Sequence, residues 1–413
     1  MSKKLVITGM GAVTPIGIGV ETYWKNLISG VCGIDRITRF DPSDLAVQIA
    51  AEVKNFDPKN YISTKLIREM DLFQQYAFAA ADEALGQSGL SPEQEGYRLG
   101  LVMGTAMSGV SATAAAQAEL SSGKTKKVSP RFVPKILGNL AAAQFSIAKG
   151  IHGPSYTLTT ACSSGGDALA TAAAVIASGQ ADAMIVMGSD SSLCPLVLGS
   201  LAQAKALSRN NDSPESACRP FDANRDGFVM GEGGGALVVE TEAHALARNA
   251  EILAELSGYA NTSDGYHVTS PDPSGKGAVS CMNTALAMAQ LRADEIGYVN
   301  AHGTSTPVGD PIETKAIKEV FGSYIPPVSS TKGATGHLMG AGGITETIAC
   351  IQAIRTGMLP PTLGYTVPDP QCDLDYIPNE ARPVQIRAAM SNALGFGGQN
   401  SSVIVQKYER SEI

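Results

Sequence analysis

The chain has 413 residues, a formal net charge of −8 at pH 7, and a composition that is 44% hydrophobic and 17% charged. This length is sufficient for two domains or for one large duplicated domain, and the composition allows a sizeable core. The negative charge argues against a nucleic-acid-binding protein, which must neutralise phosphates. No polybasic run suggests binding to a membrane surface.

The seven cysteines are odd in number and lack CxxC spacing, which favours a reducing compartment over a disulfide framework. Cysteine and histidine show no metal-site spacing. We find no leader, transit peptide or long apolar run, so we expect a cytoplasmic protein without a membrane segment.

Apolar runs alternate with alanine-rich segments along the chain. After a strand over residues 5–11, buried strands are predicted at 99–103, 183–187, 236–239, 298–301 and 403–406. Helices are predicted at 75–86, 167–178, 278–291 and 344–355. Apolar strands separated by helices predict sheets that are covered on both faces, and therefore a layered α/β fold.

Two halves of the chain carry similar segments in the same order. The paired segments are 99–105 with 296–304, 156–165 with 328–336, and 235–240 with 401–406. The first pair are strands that end in Gly-Thr, and the second are polar strands that lead into small-residue helix starts. This order predicts an internal duplication, with residues 1–250 and 251–413 as its halves.

Cys162 lies in the segment TTACSSGG (159–166), where a polar strand meets the start of a helix. A helix N-terminus carries free N–H groups and a partial positive charge, which lower the pKa of a thiol. A buried core cysteine is the alternative interpretation, because most free cysteines are buried. The position makes Cys162 a candidate nucleophile in the first half.

Three residues of the second half lie in comparable Gly-rich junctions. His302 belongs to AHGTST (301–306), and Lys332 and His337 begin and end KGATGH. In a duplicated fold equivalent loops face each other, so we expect these side chains to converge on Cys162. A thiolate suits acyl transfer from a thioester, and two imidazoles can donate hydrogen bonds to an enolate oxygen. The other histidines are interpreted as surface or structural residues: His152, His244 and His267.

Phe396 stands between glycines in the segment GFGG (395–398). One interpretation is a bulged strand turn. The other is a functional loop, in which the glycines let the ring move and let a backbone N–H approach a substrate.

Over essentially its whole length the chain resembles a β-ketoacyl-[acyl-carrier-protein] synthase of the elongating, synthase II type, or a closely similar type II polyketide ketosynthase catalytic subunit. The motifs that carry the resemblance are VITGMG (6–11), TACSS (160–164), RPFD (219–222), DGFVMGEG (226–233), NAHGTST (300–306), KGATGH (332–337) and GFGG (395–398). The resemblance implies a thiolase-like fold, a duplicated five-layer α-β-α-β-α architecture with two mixed sheets.

The resemblance also implies roles for individual residues. Cys162 would hold the growing acyl chain, while His302 and His337 would promote decarboxylation of a malonyl group and stabilise the enolate. Lys332, together with Glu346, would organise the second histidine.

Further positions are implied in the same way. The backbone N–H groups of Cys162 and Phe396 would form an oxyanion hole, and the Phe396 ring would separate acyl loading from malonyl entry. Thr304 and Thr306 match positions that bind the pantetheine arm. Residues at positions of the acyl pocket or beside the gate are Met107, Phe132 and Leu394.

Three related classes do not fit these motifs. Thiolases place a second cysteine where Phe396 stands, synthase III-type enzymes have asparagine in the role of His337, and chain-length factors lack Cys162. Departures from the usual pattern also occur. Ala393, Leu394 and Gln399 replace serine, phenylalanine and threonine, which should change the pocket or the gate. Other departures lie at 104–109, Glu69 and Arg131.

The implied partner is acyl carrier protein, which is acidic and would dock on Lys65, Arg68 and Lys205. An ordinary solvated charged face is the alternative for these three residues. No cofactor is implied, because 4'-phosphopantetheine is carried by the substrate. Some relatives bind a monovalent cation near residues like Asn300, Glu346 and Asn392. We expect neither a nucleic acid nor a membrane as partner.

The leading hypothesis is a condensing enzyme of fatty-acid elongation, working as a homodimer with Phe132 near the partner's acyl pocket. The alternative is the catalytic subunit of a type II polyketide or polyene synthase, working as a heterodimer with a chain-length factor. A non-catalytic scaffold is a third hypothesis, which the joint presence of Cys162, His302, Lys332 and His337 disfavours.

Overall fold

The computed structural model describes residues 4–123 and 128–410. Its strands are β1 Leu5–Thr14, β2 Gly17–Ile18, β3 Asp35–Arg36, β4 Ile49–Ala50, β5 Leu99–Gly104, β6 Ser155–Leu158, β7 Ala183–Asp190, β8 Gly233–Thr241, β9 Ala254–Ser263, β10 Tyr298–Asn300, β11 Val328–Ser329, β12 Met358–Leu359, β13 Arg382–Pro383, β14 Ala388–Gly395 and β15 Gln399–Gln406. Its α-helices are α1 Val20–Ile28, α2 Thr64–Ile67, α3 Leu72–Ser88, α4 Pro92–Glu95, α5 Val110–Ser121, α6 Phe132–Ile136, α7 Asn139–Lys149, α8 Ser164–Ala177, α9 Pro195–Gln203, α10 Glu242–Ala247, α11 Lys276–Ala289, α12 Gly309–Phe321, α13 Lys332–Thr335 and α14 Gly342–Thr356.

Every strand and helix predicted from hydrophobic periodicity is present, with shifted ends. The two strands that read as near-continuous apolar runs, β1 and β7, are buried along their whole length. Such strands need cover on both faces, which is why helices lie on each side of them. Within the described residues, no helix is both long and apolar enough to cross a membrane.

The strands occur as two sets with the same topology. The hydrogen-bonded order is β11-β10-β14-β15-β9-β1-β8-β7-β5-β6, with β2 paired to β1 off this path. The first set comprises β1, β5, β6, β7 and β8, and the second comprises β9, β10, β11, β14 and β15. If the five strands of each set are numbered along the chain, both sets have the order 3-2-4-5-1. In both, the pairs that involve strand 2 are parallel and the remaining pairs are antiparallel.

The two sets are not two separate sheets, and this corrects one detail of the expected architecture. β1 and β9 pair through only two residue pairs, Val6 with Glu255 and Ile7 with Ala254, which joins the sets into one eleven-stranded sheet. Strand twist accumulates across a sheet of this size, so a short junction lets the two sets turn apart and enclose helices between them.

Helices α8 and α14 form the layer between the two strand sets. Each contacts strands of both sets, whereas α3 packs on the first set and α11 on the second. The layers are therefore α-β-α-β-α, as expected for the fold class.

Glycines let the N-terminal ends of α8 and α14 touch. A Cβ on Gly165 would lie 2.8 Å from the Gly340 carbonyl oxygen, and one on Gly343 would lie 2.6 Å from the Gly166 nitrogen. Neither distance leaves room for a side chain. The close approach brings the residues that precede the two helices to one place in the molecule.

Candidate active site

Cys162 lies in a strained turn between β6 and α8. Residues Ala161–Ser163 form a turn of 3-10 helix directly before α8, and Ala161 has a φ of 51°. A non-glycine residue persists in this region only where its surroundings fix it. Here the Thr160 N–H donates to Ser164 Oγ (2.9 Å), which donates to the Ala161 carbonyl (2.6 Å). The turn thus holds the thiol in one orientation.

His337 follows α13 and is held by a segment of the first half. Its N–H donates to the Val229 carbonyl at 2.8 Å, and its carbonyl accepts from the Gly231 N–H at 2.9 Å. Gly336, with a φ of 66°, makes the left-handed turn before it. The motif DGFVMGEG, to which the sequence assigned no role, therefore positions this histidine.

Cys162, His302 and His337 meet at one point. His337 Nε2 lies 3.0 Å from Cys162 Sγ. The two rings, here called the active-site histidines, are nearly perpendicular, with centroids 5.3 Å apart. The sulfur and one nitrogen of each ring all lie within 4.8 Å of one another. The structure thus brings together three side chains that the sequence selected.

Glu313 fixes the backbone of His302. Its Oε1 accepts the His302 N–H and its Oε2 accepts the Gly303 N–H, each at 2.8 Å. Burial raises the pKa of Glu313 to about 7, and these two N–H donors oppose the rise. Sequence reasoning missed Glu313. A carboxylate on the buried face of α12 is the signal that could have found it.

Lys332 and Glu346 form a buried ion pair beside the histidines. Lys332 Nζ lies 2.5 Å from Glu346 Oε1, and the two side chains are 1% and 4% exposed. Burial, with the Lys332 charge as a second cause, holds the pKa of His302 and of His337 well below the usual range. Both active-site histidines are therefore neutral near pH 7.

The tautomer of His337 follows from its neighbours. The Met339 N–H donates to His337 Nδ1 at 3.4 Å, so in the neutral ring the proton lies on Nε2. Nε2 is the atom that faces Cys162 Sγ. The Phe228 ring meets the imidazole edge-on at a centroid distance of 5.4 Å. His337 is therefore a fixed hydrogen-bond donor.

The expectation that the helix N-terminus lowers the thiol pKa is wrong in its net direction. Burial raises the pKa of Cys162 to about 11, because the enclosed site disfavours a thiolate. The Lys332 charge and the N–H groups of Phe396 and of Cys162 itself oppose this rise. The thiol is protonated in the enclosed site, and the same groups stabilise negative charge when it forms there.

The GFGG segment forms the hairpin loop between β14 and β15. Gly397 and Gly398 have φ values of 81° and 70°, which favour glycine. A Cβ on Gly395 would lie 3.1 Å from the Cys162 nitrogen. Phe396 is 39% exposed. The loop is thus a strand turn, and its backbone also lies against the candidate nucleophile.

Thr304 and Thr306 share one short loop after β10. Their hydroxyl oxygens are 3.3 Å apart, and Thr306 Oγ1 accepts the Gly309 N–H at 3.1 Å. The buried Arg225 donates from Nε to the Thr306 carbonyl at 2.9 Å. An arginine of the first half therefore holds this loop of the second.

The three acyl-pocket candidates lie in different surroundings. Met107 packs against a buried cluster that contains Met339, two residues after His337. Leu394 packs against another cluster, and Phe132 is half-buried at the start of α6.

The docking candidates Lys65, Arg68 and Lys205 are exposed. None of them forms an ion pair within the described part of the chain. They are therefore available to an acidic partner.

Within residues 4–123 and 128–410, the side chains of Cys162, His302 and His337 are close enough together to share a metal ion. Sulfur and imidazole are ligands that Zn²⁺ accepts. An ion there would occupy the thiol and both active-site histidines.

Comparisons with known proteins agree over the whole chain. The family model described as Beta-ketoacyl synthase, N-terminal domain, matches residues 2–245, and that described as Beta-ketoacyl synthase, C-terminal domain, matches residues 253–366. The chain is 44% identical over 411 residues to a 3-oxoacyl-[acyl-carrier-protein] synthase 2 of Staphylococcus aureus (strain COL), which covers 99% of each protein.

Solved structures of ketosynthases have the same fold. The ishigamide ketosynthase/chain length factor matches with a TM-score of 0.93 at 32% identity, covering 99% of this chain and 100% of that chain. AntDE:AntF, a type II PKS acyl-carrier protein in complex with its ketosynthase, matches with a TM-score of 0.91 at 31% identity and the same coverage. These matches confirm the thiolase-like α/β fold. The chain belongs to the β-ketoacyl synthase family.

Proposed function

We propose that this protein is a 3-oxoacyl-[acyl-carrier-protein] synthase, an acyltransferase of fatty-acid elongation. The observation that carries the proposal is the placement of His337 Nε2 3.0 Å from Cys162 Sγ with His302 beside it. The 44% identity to a protein of that name supports the choice of reaction. The substrates would be acyl and malonyl groups carried by acyl carrier protein.

In the first step the Cys162 sulfur attacks the thioester carbonyl of the acyl carrier. The new carbon–sulfur bond forms, the bond to the pantetheine sulfur breaks, and the thiol proton ends on the leaving pantetheine sulfur. The N–H groups of Cys162 and Phe396, which lower the thiol pKa, would also stabilise the oxyanion that develops here.

In the second step malonyl-carrier protein loses CO2. The bond to the carboxylate breaks, and its electron pair moves into an enolate whose oxygen accepts hydrogen bonds from the active-site histidines. A neutral imidazole with its proton on Nε2 is suited to donate in this way. The enolate carbon then attacks the acyl carbonyl, the carbon–sulfur bond to Cys162 breaks, and the Cys162 thiolate takes up one proton from solvent to regenerate the thiol.

Lys332 would position His337 and lower both imidazole pKa values. Its buried partner Glu346 offsets the charge within the site. Thr304 and Thr306 would bind the pantetheine arm from the loop that Arg225 holds. Met107, Phe132 and Leu394 would contact the acyl chain.

The carrier protein would dock on the exposed Lys65, Arg68 and Lys205. The solved AntDE:AntF complex supports an acyl-carrier protein as the kind of partner. Because these are solvent-exposed charges, docking should weaken as salt concentration rises.

We propose that the protein dimerises through the β6 edge of the sheet. β6 pairs with β5 alone among the described strands, and Tyr156 on it is 44% exposed. The alanine-rich α5 has no buried residue. An exposed edge strand is a surface that a second chain would cover. We also propose that the protein is cytoplasmic and that its chain divides into two halves, residues 1–250 and 251–413.

The repeated 3-2-4-5-1 strand order and the family ranges 2–245 and 253–366 support that division. The first half would carry the nucleophile and the second half both active-site histidines.

We propose that Asn300, Glu346 and Asn392 would bind a monovalent cation. Both side-chain polar atoms of Asn300 are buried without a hydrogen-bond partner in the described residues. Asn392 Oδ1 accepts only from Ser402 Oγ (2.8 Å) among those residues. Amide and carboxylate oxygens are ligands that hard cations prefer. A cation would stabilise the folded chain by binding there.

A second candidate is the catalytic subunit of a type II polyketide synthase. Two observations support it: the similarity to the ishigamide ketosynthase/chain length factor, and Leu394 in place of the usual aromatic residue beside the gate. Partner dependence separates the two candidates.

The test uses the purified chain alone with acyl- and malonyl-carrier protein. Formation of 3-oxoacyl-carrier protein, read by mass, supports the proposal. Product that appears only when a cysteine-free homologue is co-purified supports the second candidate, and no product in either case contradicts both.

A further inference from the structure

Asp190, at the end of β7, is a buried carboxylate with four hydrogen-bond donors around it. Its side chain is fully buried. Oδ1 accepts from Thr105 Oγ1 (3.0 Å) and the Met107 N–H (2.9 Å). Oδ2 accepts from the N–H groups of Ala106 and Gly340, each at 2.7 Å. Two oxygens with four donors use the full accepting capacity of a carboxylate.

These donors come from two separate loops. Residues 105–107 follow β5 and carry the acyl-pocket candidate Met107. Gly340 follows His337 in the turn that fixes the imidazole. β5 and β7 are parallel, with Gly104 opposite Gly188, so both strands end at the same edge and Asp190 lies level with the first loop.

The two loops approach each other closely beside Asp190. A Cβ on Gly340 would lie 2.6 Å from Asp190 Oδ2 and 2.8 Å from the Ala106 nitrogen. Three N–H groups that point at one place repel each other unless an acceptor lies between them. Asp190 is that acceptor.

Both loops contain strained residues that need such support. Ser108 has a φ of 48° and Met339 a φ of 53°. Such conformations cost free energy and persist only where neighbouring contacts fix them. The Ser108 N–H donates to Thr105 Oγ1 (3.1 Å), and the Met339 N–H donates to His337 Nδ1. Ser108 is thus linked to Asp190 through Thr105 Oγ1, and Met339 directly precedes Gly340, whose N–H donates to Asp190.

The first loop also reaches the turn of the nucleophile. Ser164 Oγ, whose proton is donated to the closer Ala161 carbonyl, also lies 3.3 Å from the Thr105 carbonyl. A Cβ on Gly104 would lie 2.3 Å from the Ser164 carbonyl oxygen. A movement of residues 105–107 would thus displace Ser164 in the turn that carries Cys162.

We propose that Asp190 is a positioning residue that ties the acyl-pocket loop (105–108) to the His337 turn (337–341), so that acyl-chain selectivity and malonyl decarboxylation depend on one carboxylate. This inference rests on the proposed function. It assigns Asp190 no contact with substrate. Its effect passes through the two loops.

Asp190→Asn is the informative variant. The side chain keeps its shape, but its NH2 group faces donors where an acceptor is needed, so two of the four hydrogen bonds fail. Thr105→Val is the comparison, because it removes only the hydroxyl of the acyl-pocket loop. Val186→Ala in the same strand is the stability control, since it removes buried apolar atoms but no hydrogen bond of either loop.

The experiment measures two quantities for each full-length variant. One is the ratio of Cys162 acylation rates with hexanoyl- and palmitoyl-carrier protein, read by intact mass. The other is the rate of malonyl-carrier protein decarboxylation. A ratio between chain lengths does not respond to a loss of folded protein, which lowers both rates equally.

Asp190→Asn should change the ratio at least about fivefold and lower decarboxylation about tenfold, in line with the loss of hydrogen bonds to a charged group. Thr105→Val should change the ratio only, and Val186→Ala should change neither. An Asp190→Asn ratio within about twofold of wild type, or unchanged decarboxylation, overturns the inference. Failure of the wild-type protein to be acylated at all would instead overturn the proposed function.

Discussion

The charge of Lys332 should govern how fast Cys162 reacts. With a pKa of about 11, only about one thiol in a thousand is ionised at pH 8, three units lower. The thiolate is the reactive form. Alkylation of Cys162 by iodoacetamide should therefore accelerate about tenfold for each pH unit between about pH 7 and about pH 10. The Lys332 charge is the largest of the influences that lower the Cys162 pKa. Lys332→Met removes it, so the thiol pKa should rise and alkylation should be about tenfold slower at each pH.

A double variant separates this effect from misfolding. Lys332→Met alone leaves Glu346 buried without a cation, and breaking a buried pair costs roughly 3–5 kcal/mol. Lys332→Met combined with Glu346→Met leaves no buried charge, and such replacements are often neutral. The double variant should regain stability towards urea but keep the slow alkylation.

The assay follows the mass of the Cys162 peptide, with Cys162→Ala as the background for other cysteines. A wild-type rate that levels off near pH 8 would refute the burial argument. An unchanged rate in the double variant would refute the role of the Lys332 charge.

Three further predictions concern other residues and a metal. Cys162→Gln should abolish condensation but retain malonyl decarboxylation, whereas alanine at either active-site histidine should lower decarboxylation about a hundredfold; normal decarboxylation in both alanine variants would contradict the assignment. Glu240 and Glu95 raise the pKa of His244, so its stabilisation is complete below the unfolded value of 6.5 and is lost as pH rises through the raised value; His244→Gln should therefore cost most free energy of unfolding near pH 6 and less near pH 9, and a constant cost would contradict this sign. Stoichiometric Zn²⁺ should inhibit the enzyme and protect Cys162 from alkylation, and a chelator should reverse both effects. Inhibition without protection of Cys162 would show that the ion binds elsewhere.

Most of the fold could be predicted from the sequence because its signals are local. The apolar runs of β1 and β7 and the helical patterns of α8 and α14 carry their periodicity within a few residues. The order of the repeated segments then implied that Cys162 and His337 face each other. The two-residue junction between β1 and β9 could not be predicted, because pairing between strands of different halves leaves no local pattern in the sequence.

The parts of the site that the sequence did not reveal depend on distant contacts. Burial of Cys162 by residues far along the chain reverses the effect of its helix N-terminus on the thiol pKa. Glu313 supports His302 from the next helix, and Val229 supports His337 from the other half. Asp190 joins two loops about 230 residues apart in sequence. None of these residues forms a motif with the group it supports.

Intact-mass analysis of the protein after incubation with acyl-carrier protein tests the central claim most directly. The account predicts a mass gain of one acyl group on Cys162, which disappears when malonyl-carrier protein is added and CO2 is released. No mass gain, or a gain that persists in Cys162→Ala, would contradict a condensing mechanism through this thiol.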